Sequence, residues 1–328
     1  MLRWFDAAAR DLPWRRTSDP YAIWVSEVML QQTQVAVVER YWDRFLERFP
    51  TAKALAAAPL DDVLSLWKGL GYYARARNLH RAAQVVAAEH GGKLPATLEG
   101  LRTLPGFGRY TAGAVASIAF GLAAPIVDGN VARVLSRLFV LHGTPGDKAR
   151  EARLWDLAEQ LAQGVRPGDL NQALMELGAT VCLPKGPLCL LCPLRTSCLA
   201  LAQGLVDQLP EPKVRAPKKA LRLSVGLCRK KDATLFARRH DKGLFGGLWQ
   251  LPAVEHLGAG AKRGERLATV QRMLTHRELT IEVFSVALPA RFKGSTDYAD
   301  WKWAAPREAQ ALGMSAAMQE ALAAARAS

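Results

Sequence analysis

Four of the chain's five cysteines fall in one stretch of seventeen residues, CLPKGPLCLLCPLRTSC, from Cys182 to Cys198. Pro184, Pro187 and Pro193 make this stretch a loop and not a core helix, so its order has to come from what the cysteines hold. The N-terminus, MLRWFDAAARDLPWRR, has no apolar run long enough for a signal peptide, and Asp6 and Asp11 argue against a transit peptide; a cytoplasmic chain is expected, nucleoid-associated if bacterial. In a reducing compartment four clustered cysteines are metal ligands sooner than disulfides. The spacing C-x6-C-x2-C-x5-C has a single C-x2-C knuckle, whereas structural zinc sites pair two knuckles or add histidines, and no histidine falls between residues 143 and 239. Iron–sulfur clusters also take four thiolates, so spacing alone leaves zinc and iron both open. Cys228 stands apart and is expected to be a buried strand residue.

The formal charge of +14 and a pI near 9.9 call for an acidic partner, with nucleic acid ahead of anionic lipid. No amphipathic basic helix with an apolar aromatic stripe is evident, and the longest charge-free stretch, Thr111 to Val127, is glycine-punctuated and short for a membrane span. At 328 residues and 50% hydrophobic composition the chain can bury a core in each of two domains.

The first 200 residues read as helical. SDPYAIWVSEVMLQQTQVAVVERYWDRFLERF opens with Asp19 as N-cap and Pro20 at the first helical position, then runs apolar at helical spacing. PLDDVLSLWKGLGYYARARNLHRAAQVVAAEHGG gives a helix, a turn at Gly69 and Gly71, and a second helix ended by Gly91 and Gly92. QLPEPKVRAPKKA, residues 208–220, reads as an extended linker. Beyond it ALRLSVGLCRKKDATLFARRH and LTIEVFSVALPARF alternate as strands, so a separate α+β domain is expected over residues 221–328.

Within LPGFGRYTAGAVASIAF, Pro105, Gly106 and Gly108 form a hairpin just before a helix, where backbone amides and the helix dipole can meet a DNA phosphate; glycine caps on a plain helix connection are the other reading. Two carboxylates stand out by context. Glu27, between Trp24, Val25, Val28, Met29 and Leu30, is either a buried acid with a raised pKa or a glutamate on a narrow solvated stripe. Asp128, after an apolar run and before a helix, is an N-cap that amide hydrogen bonds would keep ionised and able to stabilise a cation.

SEVMLQQTQV, GLGYYARARNLH, LPGFGRYTAGAVASIAFG, VDGNVARVLSR, NQALMELGATVC and the cysteine cluster, in this order, resemble the MutY family of adenine DNA glycosylases in the helix-hairpin-helix superfamily. The resemblance is dense over residues 3 to 200. It implies a mostly α N-terminal part, residues 1–207, with a six-helix barrel near 21–130 and an iron–sulfur domain from 1–20 and 131–207, followed by a smaller α+β, Nudix/MutT-like domain. It implies a [4Fe–4S] cluster on Cys182, Cys189, Cys192 and Cys198, bracing a basic loop (Lys185, Arg195) against the DNA backbone. The activity implied is hydrolysis of the N-glycosidic bond of adenine mispaired with 8-oxoguanine or guanine in double-stranded DNA, by a protein that acts as a monomer.

By the same resemblance Glu27 protonates the base and Asp128 stabilises the oxocarbenium-like sugar, a division of labour like that of two carboxylates in glycoside hydrolysis. The target base must be flipped out of the stack. Gln32 and Tyr72 match residues that fill or prop the gap, with Thr33 beside them in the DNA-contacting set. Trp14, Arg15, Asn130 and Gln172 match the adenine pocket, although a plain core role for Trp14 stays open. Lyase relatives carry a lysine where this chain has Tyr110, which implies a monofunctional glycosylase, with endonuclease-III-like lyase action or a non-catalytic iron–sulfur DNA-binding module as the alternatives. In the C-terminal part GLFGGLWQLP and LTHRELTI carry a looser resemblance. No Glu-Glu pair follows residue 220, so a Nudix hydrolase site is not expected, and an 8-oxoguanine reading role falls to Thr275 and His276, where the family's aromatic-Ser-His signature stands as Leu274-Thr275-His276.

Overall fold

The computed structural model describes residues 1–213 and 217–327; residues 214–216 of the expected linker lie outside the described residues. In chain order the helices are α1 (Leu2–Ala8), α2 (Pro20–Leu30), α3 (Val35–Arg48), α4 (Ala52–Ala57), α5 (Leu60–Leu66), α6 (Ala74–Glu89), α7 (Leu98–Thr103), α8 (Arg109–Phe120), α9 (Gly129–Phe139), α10 (Lys148–Ala162), α11 (Pro167–Thr180) and α12 (Leu199–Ala202). Strands β1 (Lys219–Leu227), β2 (Arg229–Lys230), β3 (Ala233–Arg238), β4 (Trp249–Gln250), β5 (Lys262–Met273), β6 (Arg277–Ala287) and β7 (Asp300–Ala304) follow, then α13 (Pro306–Ala311) and α14 (Ala316–Ala327). No helix among the described residues is long and apolar enough to cross a membrane. The chain divides into two compact units, Met1–Ala57 with Asn78–Arg215, and Ala58–Arg77 with Ala216–Ser328.

The first unit is helical, and its centre is α2. Asp19 caps this helix by accepting from the Tyr21 and Ala22 amides at 3.1 and 3.3 Å, and Pro20 occupies the first position. Every residue from Tyr21 to Met29 is buried, so α2 has no solvent stripe and is a core helix packed between α3 and α8. The run expected to continue through residue 49 breaks at Gln31–Gln34, where Gln32 takes φ +57. Gln31 Nε2 donates to Thr111 Oγ1 at 3.0 Å and ties this break to the first turn of α8. Gly106 enters the α7–α8 hairpin at φ +79, and a Cβ there would stand 2.6 Å from Asn78 Cβ. Helix α11 crosses α9 at Gly178, whose missing Cβ leaves room for Asn130; a methyl would lie 2.6 Å from the Asn130 Cβ.

In the second unit β1 runs parallel to β6 in the register Leu223↔Ile281, and β5 pairs antiparallel on the other side of β6. Strands β2, β4 and β7 pair with β3. Val225, Phe236, Leu251, Ile281, Val283 and Met318 form its core, with α14 laid on β5 and β6. Residues 58–77, which the sequence reading places in the helical part of residues 1–207, group with this unit. The Tyr73 hydroxyl donates to the Met314 carbonyl at 3.2 Å, and the Arg77 guanidinium donates to the Gly246 and Asp241 carbonyls. Cys228 is buried as expected, though in the step between β1 and β2 and outside both strands.

Candidate active site and cysteine loop

The apolar circumference of α2 carries one acid to the interior. Glu27 is 4% exposed, and its Oε2 accepts from the Tyr110 hydroxyl of α8 at 2.7 Å, while Oε1 accepts no hydrogen bond among the described residues. Burial pushes the Glu27 carboxyl up to about 7; the Tyr110 hydrogen bond opposes this, the nearby Asp128 carboxylate adds to it, and the Arg15 charge opposes it. The solvated-stripe alternative is thereby removed. Tyr110 also reaches Met175 Sδ of α11 at 3.4 Å, and burial among these carboxyl groups holds its phenol protonated.

Asp128 caps α9. Its Oδ1 accepts from the Val131 amide at 2.7 Å and its Oδ2 from Asn130 Nδ2 at 3.0 Å, so both oxygens act as acceptors, the pattern of an ionised carboxylate. The Val131 and Asn130 bonds favour the ionised form. Burial outweighs them and moves the Asp128 pKa up from the usual value, with the Val131 and Asn130 contacts limiting the rise. Asn130 in turn accepts at Oδ1 from Arg133 Nη2 at 2.9 Å, and Arg133 donates to the Gly178 carbonyl at 2.6 Å and the Cys182 carbonyl at 2.7 Å. A continuous chain of hydrogen bonds thus joins Asp128 to the start of the cysteine loop.

A third group borders the same space. Arg15 lies in the turn Pro13–Arg15; its Nη2 donates to Glu176 Oε2 at 2.8 Å and its Nη1 to the Arg10 carbonyl at 3.0 Å, with Phe5 beneath the guanidinium. Glu176, on α11, has no exposed side-chain surface and also takes two bonds from the Arg10 guanidinium, at 2.7 and 2.9 Å, and one from the Arg10 backbone amide at 3.2 Å. Gln172, Met175 and Glu176 are at i, i+3 and i+4, one face of α11. Trp14 is buried and meets Trp42 edge-on at 6.2 Å. Met175, Glu176, Arg10 and Arg133 do not stand out in the sequence; the one available signal is a glutamate inside the apolar run NQALMELGA.

Around the cysteine loop, Cys182, Cys189, Cys192 and Cys198 line one cavity of about 30 Å³ with Arg137, and none is disulfide-bonded. Arg137 Nη1 donates to Cys182 Sγ at 3.3 Å and to the Leu183 carbonyl at 2.7 Å. Burial and then the neighbouring thiols raise the pKa of Cys189, and burial with the same neighbours raises that of Cys192. Among the described residues no three His, Cys, Asp or Glu side chains converge as a site for one metal ion. The four thiols surround a space instead of meeting at a point.

Gly106 and Gly108 stand where expected, Gly108 as the N-cap of α8, with nothing within 4 Å of where its Cβ would be. Gln32 is exposed and Thr33 half-buried at the end of α2. In the second unit Tyr72 (φ +47, 42% exposed) meets Thr275 through hydroxyls 2.7 Å apart. Both, with His276, line a cavity of about 520 Å³ at the β5–β6 turn.

Residues 25–160 match the family described as HhH-GPD superfamily base excision DNA repair protein, and residues 224–324 match the NUDIX domain. The chain is 37% identical to the adenine DNA glycosylase of Rattus norvegicus over 98% of its own length and 76% of that protein, and 38% identical to that of Homo sapiens over 98% and 72%. Among solved structures, a thermostable thymine-DNA glycosylase superposes with a TM-score of 0.55 at 32% identity, over 62% of this chain and 93% of that one. A non-covalent endonuclease III–DNA complex superposes with a TM-score of 0.50 at 25% identity, over 62% and 92%. A helix-hairpin-helix base excision unit followed by a Nudix-like unit is the class that fold and site define. The chain belongs to the adenine DNA glycosylase family.

Proposed function

We propose that this protein hydrolyses the N-glycosidic bond of adenine mispaired with 8-oxoguanine or guanine in duplex DNA, as a monofunctional glycosylase. The observation that carries the reading is Glu27: a buried carboxyl whose pKa is lifted to about 7, hydrogen-bonded at one oxygen and open at the other. Adenine leaves poorly as an anion, so a proton must reach the base as the bond breaks, and an acid poised near neutrality suits that transfer. Tyr110 fixes the carboxyl through Oε2 and leaves Oε1 to face the base. Positive charge then grows on the sugar. Asp128, held as an acceptor at both oxygens, supplies the opposing charge.

Trp14, Arg15, Asn130 and Gln172 form the adenine pocket in this reading, and Gln32, Thr33 and Tyr72 engage the opened duplex. Gly106 and Gly108 lead amides toward a phosphate. Thr275 and His276 read the base opposite adenine. Tyr110 offers no amine for a Schiff base, so the product is an intact strand with an abasic site. Incubation with a duplex carrying one 8-oxoguanine–adenine pair tests the proposal: scission at the adenine only after hot alkali is expected, and scission without alkali, or none, overturns it.

The four thiols fit a [4Fe–4S] cluster. They surround a shared cavity beside the Arg137 cation, and four thiolates are the ligand set that such a cluster takes. When bound, the cluster supplies a cross-link that orders a loop three prolines keep out of regular structure. Cys182, Cys189, Cys192 and Cys198 would hold it, while Arg133 carries the loop's position to Asn130 and Asp128. Anaerobically purified protein is expected to be brown and to contain iron at about four atoms per chain; zinc without iron would contradict the assignment.

A further inference from the structure

Glu176 is a buried carboxylate that the excision chemistry leaves unused. It sits on α11 with its side chain fully enclosed, and burial works against its charge, yet hydrogen bonds from Arg10 and Arg15 outweigh burial and hold its pKa down to about 2. The two arginines differ in their freedom. Arg10 is 40% exposed in its side chain and can return to water, whereas Arg15 is 15% exposed and lies close enough to Glu27 for its charge to act on that carboxyl. Removing one partner of a buried ion pair leaves the other charge uncompensated. Without Glu176 that charge is Arg15, which already acts on Glu27.

We propose that Glu176 is a positioning residue that holds Arg15 off Glu27, so that Glu27 stays protonated for catalysis while Arg15 remains in the pocket. The inference rests on Glu27 being the acid. The charged and titratable groups that face Glu27 are Tyr110 from α8, Asp128 from the start of α9 and Arg15 from the turn before α2; those that face Glu176 are Arg10 and Arg15. Asp128 raises the Glu27 pKa, and Tyr110 and Arg15 lower it. Among the described residues Arg15 alone acts on both carboxyls, and it is the group that Glu176 restrains.

The test is the single-turnover excision rate on an 8-oxoguanine–adenine duplex from pH 5 to 9, with melting temperature read for every variant. Glu176→Gln removes the charge, Arg15 closes on Glu27, and the alkaline limb of the profile moves down by about one to three pH units, the usual effect of an opposite charge at contact. Glu176→Asp keeps the charge on a shorter stem and moves the limb down by less; it also serves should the glutamine variant not fold. Adding Arg15→Met to Glu176→Gln removes the cation that would pair with Glu27, and the limb returns to or above its wild-type position, whatever the rate. A purely structural role lowers the rate equally at all pH values and leaves the limb in place in folded Glu176 variants, which overturns the proposal. If instead the wild-type protein has no alkaline limb and Glu27→Gln excises normally, the assignment of Glu27 itself fails first.

Discussion

Glu27→Gln is expected to slow single-turnover excision of adenine by about a hundredfold to ten-thousandfold, the range spanned by loss of a general acid. Binding to the duplex should be little changed, since Glu27 is buried on α2 and acts on the base, not on the phosphates. The variant also carries a stability signature. The folded-state pKa of about 7 lies above the ordinary glutamate value of 4.5, so the folded protein binds the proton more tightly than the unfolded chain. Any stability this group contributes is present below about pH 4.5 and is lost as pH rises to 7, at a cost of about 3 kcal/mol by the 1.36 kcal/mol per unit relation. Glutamine takes on no charge. At pH 8 the variant should therefore melt higher than wild type, and at pH 5 that advantage should vanish; an unchanged excision rate, or a lower melting point at pH 8, would count against a buried protonated acid.

Asp128→Asn is the second large effect. Asparagine caps helices nearly as well as aspartate, so the Val131 amide keeps an acceptor and α9 keeps its start. What disappears is the negative charge opposite the developing sugar cation, and a loss of about a hundredfold to a thousandfold in single-turnover rate is expected, as for other fixed charges or dipoles aimed at a transition state. Because Asp128 helps to raise the Glu27 pKa, the residual activity should also fall off at lower pH than in wild type. Rapid-quench assays across pH 5 to 9 read both effects, and a rate within a few-fold of wild type would remove Asp128 from the chemistry.

Local signals in the sequence carried a good part of this structure. Asp19-Pro20 marks the start of α2 because cap and first turn are adjacent in the chain, and Gly121 ends α8 in the left-handed conformation that glycine favours. The break at Gln31–Gln34 was not legible, since no glycine or proline stands there and Gln32 takes a positive φ under tertiary constraint. Glu27 could be read as buried or solvated for a related reason: a helix apolar on every side has no pattern to say which way an acid points. Glu176 stayed hidden because its partners, Arg10 and Arg15, are 166 and 161 residues away. The same distance problem applies to residues 58–77. Their sequence says helix and turn, which is what they form, but their packing against Met314 and Gly246 depends on segments more than 160 residues later. The cysteines gave their loop by spacing and prolines, while the hydrogen-bond path from Cys182 through Arg133 and Asn130 to Asp128 needed three dimensions.

The central claim is that a protonated Glu27 delivers the proton that lets adenine leave. Its most direct measurement is the pH dependence of the single-turnover excision rate of the unmodified protein on an 8-oxoguanine–adenine duplex. The rate should hold level at mildly acidic pH and fall about tenfold per unit above an apparent pKa near 7. A rate that stays level through pH 9 would show that the proton comes from elsewhere.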